Sequence, residues 1–567
     1  MATGGESRIP FRDAAEILIL GLVLLAPQLL LRDIWGPDET RFAEVAREMV
    51  ARGDYLVPHL NGEIYAEKPP LCFWLAAALR GVFGADAGRV VSVASALAAL
   101  LLTYGMGRRL YGREEGLWAA RIAATTMLFL GLGRTGILDS LLLATILAAI
   151  ACGHAALEGQ SPRARAWWLG AYAAAAAAIL TKGPIGLAIP ALVLLAHGLA
   201  RRRRVRAGGW WHFGGALLML ALVAAWLVPA CLRGGELYAR KIILQQTLER
   251  VGSSAIHGEP PHYYLTRWPL FLWPWSLLLP LSLVAALRAA RRSRDWRPAL
   301  PALWFLAVFA FLSLISGKGE RYFLPAVPAA ALACAHYLCS ARSGGVPWPR
   351  WHRGLLGATW LSVLAIGGFL VVVGLAPDAV LRASPNKSEA AAMFREVFTP
   401  AHAAGVVAFG GALIAASLLA LSWVWRAVGA RRHGGMLVGI VVAVALGFDL
   451  VALPTINQSK SDRRAVAHFR PYLDQAEELC LFRTEFDGIF NLYLGKARIP
   501  LLDTAEQAIQ RLAAPRRVAV AVWKSQVELL DPAERCQVVP AGPGSPRNLV
   551  LLVNWRPDPP PGAEERR

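Results

Sequence analysis

The sequence predicts an all-α polytopic membrane bundle of about 13 transmembrane helices, followed by a small α/β domain outside the membrane. Three features carry that expectation. Of the 567 residues, 56% are hydrophobic and only 17% charged, which is too apolar for a water-soluble chain of this length. The apolar residues fall into stretches of about 20, enough to cross roughly 30 Å of hydrocarbon. After residue 455 the composition turns to that of an ordinary soluble domain. The net charge of +20 does not mark a nucleic-acid binder, because the basic residues sit in short clusters between apolar runs instead of forming one face.

Taken in order, the expected spans lie near 14–31, 88–107, 116–134, 137–157, 166–181, 184–200, 211–231, 263–287, 299–316, 322–340, 354–376, 403–425 and 435–454. The first, Ala14 to Leu31, has no small-residue cleavage site and ends on Arg32 and Asp33, so it is expected to persist as a helix. The run Pro69 to Gly84 opens on two prolines and is interrupted by Arg80. It is expected to lie along the interface as part of the first outside loop, 32–87. The clusters Arg108–Arg113, Arg163–Arg165, Arg201–Arg206, Arg288–Arg297, Arg342–Arg353 and Arg426–Arg432 then share a side with the N-terminus. The positive-inside rule makes that side cytoplasmic. The other side receives loop 32–87, the turns at 134–137, 181–184 and 317–321, the loops 232–262 and 377–402, and the C-terminal segment. The domain plan is a membrane domain over 1–454, an α/β domain over 455–556 and a disordered tail over 557–567. Within the α/β domain, Leu479–Phe482, Arg498–Leu502, Val518–Trp523, Cys536–Val539 and Leu549–Val553 read as strands and Thr504–Leu512 as a helix.

Two polar motifs occupy the first outside loop. In Gly36-Pro37-Asp38-Glu39-Thr40-Arg41, the residues Phe42, Val45, Ala46, Met49 and Val50 follow at helical spacing. The bland reading is an acidic first turn of a surface helix. The chemical reading is a carboxylate held by Arg41 one turn along, ready for a proton or a metal. In Tyr65-Ala66-Glu67-Lys68-Pro69-Pro70, an adjacent acid and base point apart on a stiff segment and can serve a cation and a phosphate. Arg134, Asp139, Lys182, Lys318, Glu320 and Arg321, with Tyr322, lie at span ends on the same side. Singly they are ordinary anchors. Together they form a charged ring at the membrane surface, which is a site hypothesis by default. Loop 232–262 adds Glu249, Arg250, His257, Glu259 and His262. These lack metalloprotease spacing, but His257 with Glu67 makes a mixed nitrogen and oxygen donor set for zinc or manganese. Cys480 and Cys536 are the two cysteines of the outside domain, where a disulfide between them is permitted.

The pattern Asp38-Glu39-Thr40-Arg41, Ala43-Glu44, Arg47-Glu48-Met49, Gly53-Asp54, Tyr65, Glu67-Lys68-Pro69, Asp139, Thr181-Lys182-Gly183-Pro184 and Gly317 to Pro325 resembles bacterial membrane glycosyltransferases that use polyprenyl-phosphate sugars. These GT-C enzymes are relatives of the protein O-mannosyltransferases, and the chain looks like the lipid A aminoarabinose transferase family among them. The resemblance implies an undecaprenyl-phosphate-linked donor, plausible cargo being 4-amino-4-deoxy-L-arabinose, with lipid A, another glycan or a protein as acceptor. It also implies a monomer in the bacterial inner membrane, with no nucleic-acid partner. Carried onto this sequence, it makes Asp38, Glu67, Lys68 and Asp139 catalytic. Lys68, Arg41, Lys182, Arg321 and Tyr322 hold the donor phosphate and lipid, Glu39 and Tyr65 line the cavity, and Glu67 and His257 hold the metal. His262 stands where that family has an aromatic residue, and Gly317-Lys318-Gly319-Glu320-Arg321-Tyr322 is closer to its generic bacterial members. The rival reading is a lipid-linked sugar flippase. A transporter calls for ionisable or helix-breaking residues at the bilayer midplane and an internal repeat, whereas the polar residues here crowd one face.

Overall fold

The computed structural model describes residues 9–158, 163–201, 210–243, 259–340, 350–378, 400–426, 429–483, 488–530, 536–541 and 549–555. Helices occupy each of the thirteen apolar stretches. Among the described residues, nine helical segments are long and apolar enough to cross a bilayer, and up to 11 if each of two bent pairs counts as one span. The pairs are Arg113–Ala124 with Met127–Gly133, bent by 68°, and Tyr263–Phe271 with Ser276–Ser293, bent by 117°. The helices Arg163–Lys182 and Ile185–Ala200 fall short of that standard. The first carries charges at both ends, and the second, at 16 residues, reaches only about 24 Å.

The helix Leu71–Phe83 leads into Ala87–Leu110 across Gly84 (φ 57°, ψ −131°) and a short 3-10 turn. The two helices fold back on each other at that break: Phe73 and Val91 share a buried cluster with Ile137 and Leu141, and the Ser92 hydroxyl donates to the Ile137 carbonyl at 2.9 Å. At 13 residues, about 20 Å, the first is too short to cross the hydrocarbon alone. Cys72, Phe73 and Ala77 pack against Phe42, Val45 and Met49 of the helix Asp38–Arg52. That amphipathic pairing builds a small shelf from the first loop, above the bundle. Close helix packing sets the turn that carries Lys182. Gly183 adopts φ 77°, and a Cβ on Gly186 would lie 2.4 Å from the backbone of Ala178, so only glycine lets Ile185–Ala200 fold back so tightly on Arg163–Lys182.

The C-terminal domain carries all five expected strands. Their order in the sheet is Leu501–Leu502, Glu478–Phe482, Val518–Trp523, Leu549–Val553, Gln537–Pro540. The first three run parallel and the last two join antiparallel. The helix Ala505–Leu512 starts on a complete capping box, Thr504 with Gln507. No disulfide joins Cys480 to Cys536. Cys480 pairs in register with Val520, which pairs with Leu552, which pairs with Val538. Three strand spacings of about 4.8 Å therefore separate Cys480 from the strand that follows Cys536, beyond the roughly 7 Å a disulfide can span. The tail 557–567 and most of the expected loop 540–546 lie outside the described residues.

Candidate active site

The domain stands on the first loop, and that contact fixes the mouth of the site. The strands His59–Leu60 and Glu63–Ile64 form a hairpin whose turn is Asn61-Gly62, both with positive φ (56° and 78°). That is the chemistry of a type I′ turn. The Asn61 amide donates to the Ile499 carbonyl at 2.8 Å, and its Oδ1 accepts from the Ile499 N–H at 2.6 Å and from Asn491 at 3.0 Å. At the other end of the domain, Asp33 accepts from Ser461 at 2.6 Å, while Asn457 accepts from the Asp33 N–H at 2.8 Å and the Trp35 indole at 3.1 Å. Loop 232–262 begins as a continuation of the helix Trp210–Ala239, where Arg233 bonds Asp54 at 3.0 Å and the Trp226 indole donates to the Leu56 carbonyl.

Under this frame, charged groups from four distant segments converge. Asp38 opens the helix Asp38–Arg52. Its Oδ2 accepts from Arg321 at 2.8 Å, while its Oδ1 lies 3.8 Å from Arg41. Arg41 also lies 3.8 Å from Glu67, whose Oε2 accepts from the Tyr65 hydroxyl at 3.4 Å. Burial opposes the charge on Arg41, but Tyr65, Asp38 and Glu67 outweigh it and hold the guanidinium above its ordinary range. Burial first, and then Glu67, push the Tyr65 hydroxyl upward, so it stays a neutral donor. On the bundle side, Asp139 at the start of its helix bonds Lys182 at 2.5 Å. The Lys182 ammonium stands 4.8 Å over the Tyr322 ring, and Arg321 is within electrostatic reach of Asp139. Lys318 and Tyr264 fix the turn that presents Arg321. The buried ammonium donates to the carbonyls of Ile315 (2.6 Å) and Glu259 (2.9 Å), and the Tyr264 hydroxyl donates to the Gly319 carbonyl at 3.0 Å.

The structure thus brings Asp38, Arg41, Tyr65, Glu67, Asp139, Lys182, Arg321 and Tyr322 into one connected cluster. Lys68 adjoins it through Glu67, whose carbonyl accepts from its ammonium at 3.1 Å. Two expected members take other places. Glu39 is 4% exposed and faces inward, not the cavity: it receives two bonds of 2.7 Å from Arg32, one of 3.0 Å from the Trp35 N–H and one of 2.6 Å from the Gly136 N–H. Its helix turns by about 100° per residue, so the neighbour of an outward Asp38 points into the bundle. Arg134 likewise turns inward, to Asp449 at 3.0 Å, which also accepts from Gln28 at 2.9 Å. Of the expected metal ligands only Glu67 is placed. It is half exposed, and its Oε2 is already shared by Arg41 and Tyr65. His257, Glu249 and Arg250 lie outside the described residues, and no described His, Cys, Asp or Glu groups with Glu67 as a metal site. Asn61 and Asn491 are the positioning residues that the sequence reading missed. The Asn-Gly dipeptide between Leu60 and Glu63 is the signal that marks the hairpin.

Such a cluster can hold an anion between Arg41, Lys68, Lys182 and Arg321 while Asp38, Glu67 and Asp139 remain as acceptors facing a second group. Residues 67–228 match the family model described as dolichyl-phosphate-mannose-protein mannosyltransferase. The chain is 32% identical over 333 residues to an undecaprenyl phosphate-alpha-4-amino-4-deoxy-L-arabinose arabinosyl transferase of Proteus mirabilis, covering 56% of this chain and 59% of that one. It is 30% identical over 384 residues to the enzyme of the same name from Pectobacterium atrosepticum, covering 66% of each. The matches therefore span between about three fifths and two thirds of the relatives' own length. In structure it is similar to ArnT from Cupriavidus metallidurans bound to undecaprenyl phosphate, with a TM-score of 0.74 at 20% identity over 97% of this chain and 99% of that one. The apo state of the same protein gives a TM-score of 0.72 at 21% identity, over 96% and 97%. The chain is a multi-pass membrane protein with the GT-C fold and a sequence relative of the aminoarabinose transferases.

Proposed function

We propose that this protein is a membrane glycosyltransferase that moves a sugar, 4-amino-4-deoxy-L-arabinose in the first instance, from an undecaprenyl-phosphate-linked donor to lipid A. The relatives' names and the ligand of the similar structure supply the donor and the sugar. The observation that carries the reading is the junction at Asp38. There a loop carboxylate meets Arg321 from the far side of the bundle, with Lys182 and Asp139 beyond it. In the proposed reaction the acceptor oxygen forms a bond to the anomeric carbon from the face opposite the phosphate. The bond from that carbon to the phosphate oxygen breaks, and undecaprenyl phosphate leaves with the electron pair. Lys68, Arg41 and Arg321 stabilise the charge gained by the leaving phosphate, the kind of preorganised stabilisation that contributes most in a site shielded from water. Lys182, held by Asp139 and seated on Tyr322, keeps a fixed cation beside them. Asp38 orients the acceptor and takes its proton when the acceptor is a hydroxyl. A lipid A phosphate arrives ionised, and Asp38 then faces the positive charge that develops on the sugar.

The same proposal places the protein in the bacterial inner membrane with thirteen crossings, the N-terminus cytoplasmic and the C-terminal domain periplasmic. A zinc or manganese ion between Glu67 and His257 is a separate proposal on which no step above depends. Chelation that abolishes turnover, with restoration by the added ion, would support it. The transfer itself is tested with purified protein, an undecaprenyl-phosphate aminoarabinose donor and lipid A. Sugar appearing on lipid A, with release of undecaprenyl phosphate, is the expected result. Donor movement across a vesicle membrane without any transfer would favour a flippase.

A further inference from the structure

The geometry points to a second site, at the other end of the bundle: we propose that His154, Glu158 and His197 bind one zinc-class transition-metal ion. His154 and Glu158 lie one turn apart on the helix Asp139–Glu158, on the same face, and His197 meets them from the helix Ile185–Ala200. One ligand atom from each lies within 4.8 Å of the other two, and among the described residues this is the one such grouping. The imidazole rings approach to 5.4 Å between centroids at 58°. His154 lies fifteen residues along the helix from Asp139, about 22 Å away, so this site is separate from the charged cluster described above.

Three things make the grouping more than helix packing. First, His197 is fully buried and His154 is 4% exposed, yet Nδ1 and Nε2 of His197 and Nδ1 of His154 have no hydrogen-bond partner. Buried polar atoms are nearly always paired, and two adjacent buried histidines left unpaired need a reason. A metal ion would use one acceptor nitrogen on each ring. Second, the carboxylate is already held. Arg201 donates to Glu158 Oε1 and Arg297 stands 3.9 Å from Oε2. Ligating carboxylates are characteristically fixed by such outer partners. Third, the donor set selects the ion: Arg201, Arg297 and Arg109, all in electrostatic reach of His154, oppose any divalent cation alike. Binding therefore depends on the two imidazole nitrogens, which favour zinc over a hard, carboxylate-dependent ion such as magnesium. Two histidines and one glutamate leave a fourth position for water, and the ion would tie the helix that opens on Asp139 to the helix that follows the Lys182 turn.

The test uses the full chain in nanodiscs, stripped with chelator and titrated with zinc alone. Wild-type protein should gain one zinc equivalent that a His154→Ala, His197→Ala double variant lacks and a Glu67→Ala, His257→Ala double variant keeps. Magnesium at the same concentration should leave this site empty. Glu158→Gln should weaken zinc at this site at least tenfold. An unchanged zinc equivalent in the His154→Ala, His197→Ala variant overturns the proposal, as does loss of zinc only in the Glu67→Ala, His257→Ala variant. If the histidine double variant does not elute as a folded species, the Glu158→Gln protein decides: affinity equal to wild type refutes the site.

Discussion

Arg321 reaches Asp38 at 2.8 Å across 283 positions of sequence, while Arg41, one turn away on the same helix, stays at 3.8 Å. The long-range partner therefore does more to fix the carboxylate than the local one. Asp38→Asn keeps the shape of the side chain and removes its charge, and Lys68→Ala removes a cation facing the donor. Each is expected to lower turnover at least about a hundredfold with little loss of folded protein, the scale found when an acid/base group or a charge-stabilising donor is deleted. Turnover close to wild type in both variants would return the two residues to the role of surface anchors. At this scale the sequence was legible where topology did the work. Asp139, Lys182 and Arg321 fall on one side once the spans alternate, and the structure joins them. It was misleading where two neighbours look alike. Asp38 and Glu39 are both acids at a helix start, and only the facing of the helix separates the outward residue from the one that Arg32 buries.

One layer up, the loop helix and the C-terminal domain stabilise each other through a few polar contacts. Asn61→Ala leaves the Ile499 N–H and carbonyl without their partner and places alanine at φ 56°, a conformation asparagine tolerates better. A loss of about 2 kcal/mol is expected from the unpaired buried groups. Amide exchange at Ile499 should accelerate accordingly, and unchanged protection there would show that the hairpin is not the tie. Glu44 adds a pH dependence. Burial pushes its carboxyl up to about 7 although Arg47 bonds it at 2.7 Å and pulls the other way. Its Cβ side abuts Gly488 of the domain, and Arg47 donates to the Lys496 carbonyl. The folded state thus keeps a proton that the unfolded state has released above about 4.5. The stabilising contribution is complete below that value and declines as pH rises through about 7. The midpoint of thermal unfolding should fall across that window in wild-type protein and change less in Glu44→Gln. Equal slopes in the two proteins would remove Glu44 as the cause. The strands were legible because each is a continuous apolar run bounded by polar residues. The excluded disulfide was not, because strand order across a sheet is set by tertiary pairing, which leaves no trace in the spacing of Cys480 and Cys536.

For the molecule as a whole, the decisive question is which ends of the helices share a compartment. Asp38, Glu67, Asp139, Lys182 and Arg321 meet at one end of the bundle, and the domain beyond residue 461 stands on the same loop through Asn61 and Asp33. Among the described residues, Arg113 and Arg201 of the basic clusters lie at the other end. Asp13 near the N-terminus is bonded there by Arg113 and Tyr104, and Glu158 by Arg201. In the proposed topology, retention of Arg and Lys on the cytoplasmic side during insertion would put the charged cluster and the C-terminal domain outside together. The alternation holds only if Leu71–Phe83 stays out of the count, and its 13-residue length and its packing on Asp38–Arg52 give that choice a physical basis. A reporter active only outside the cytoplasm should therefore score when fused after residue 460 and fail when fused near Arg204, with the opposite pattern for a cytoplasmic reporter. Cytoplasmic activity from both fusions would mean an even number of crossings between them instead of the expected seven.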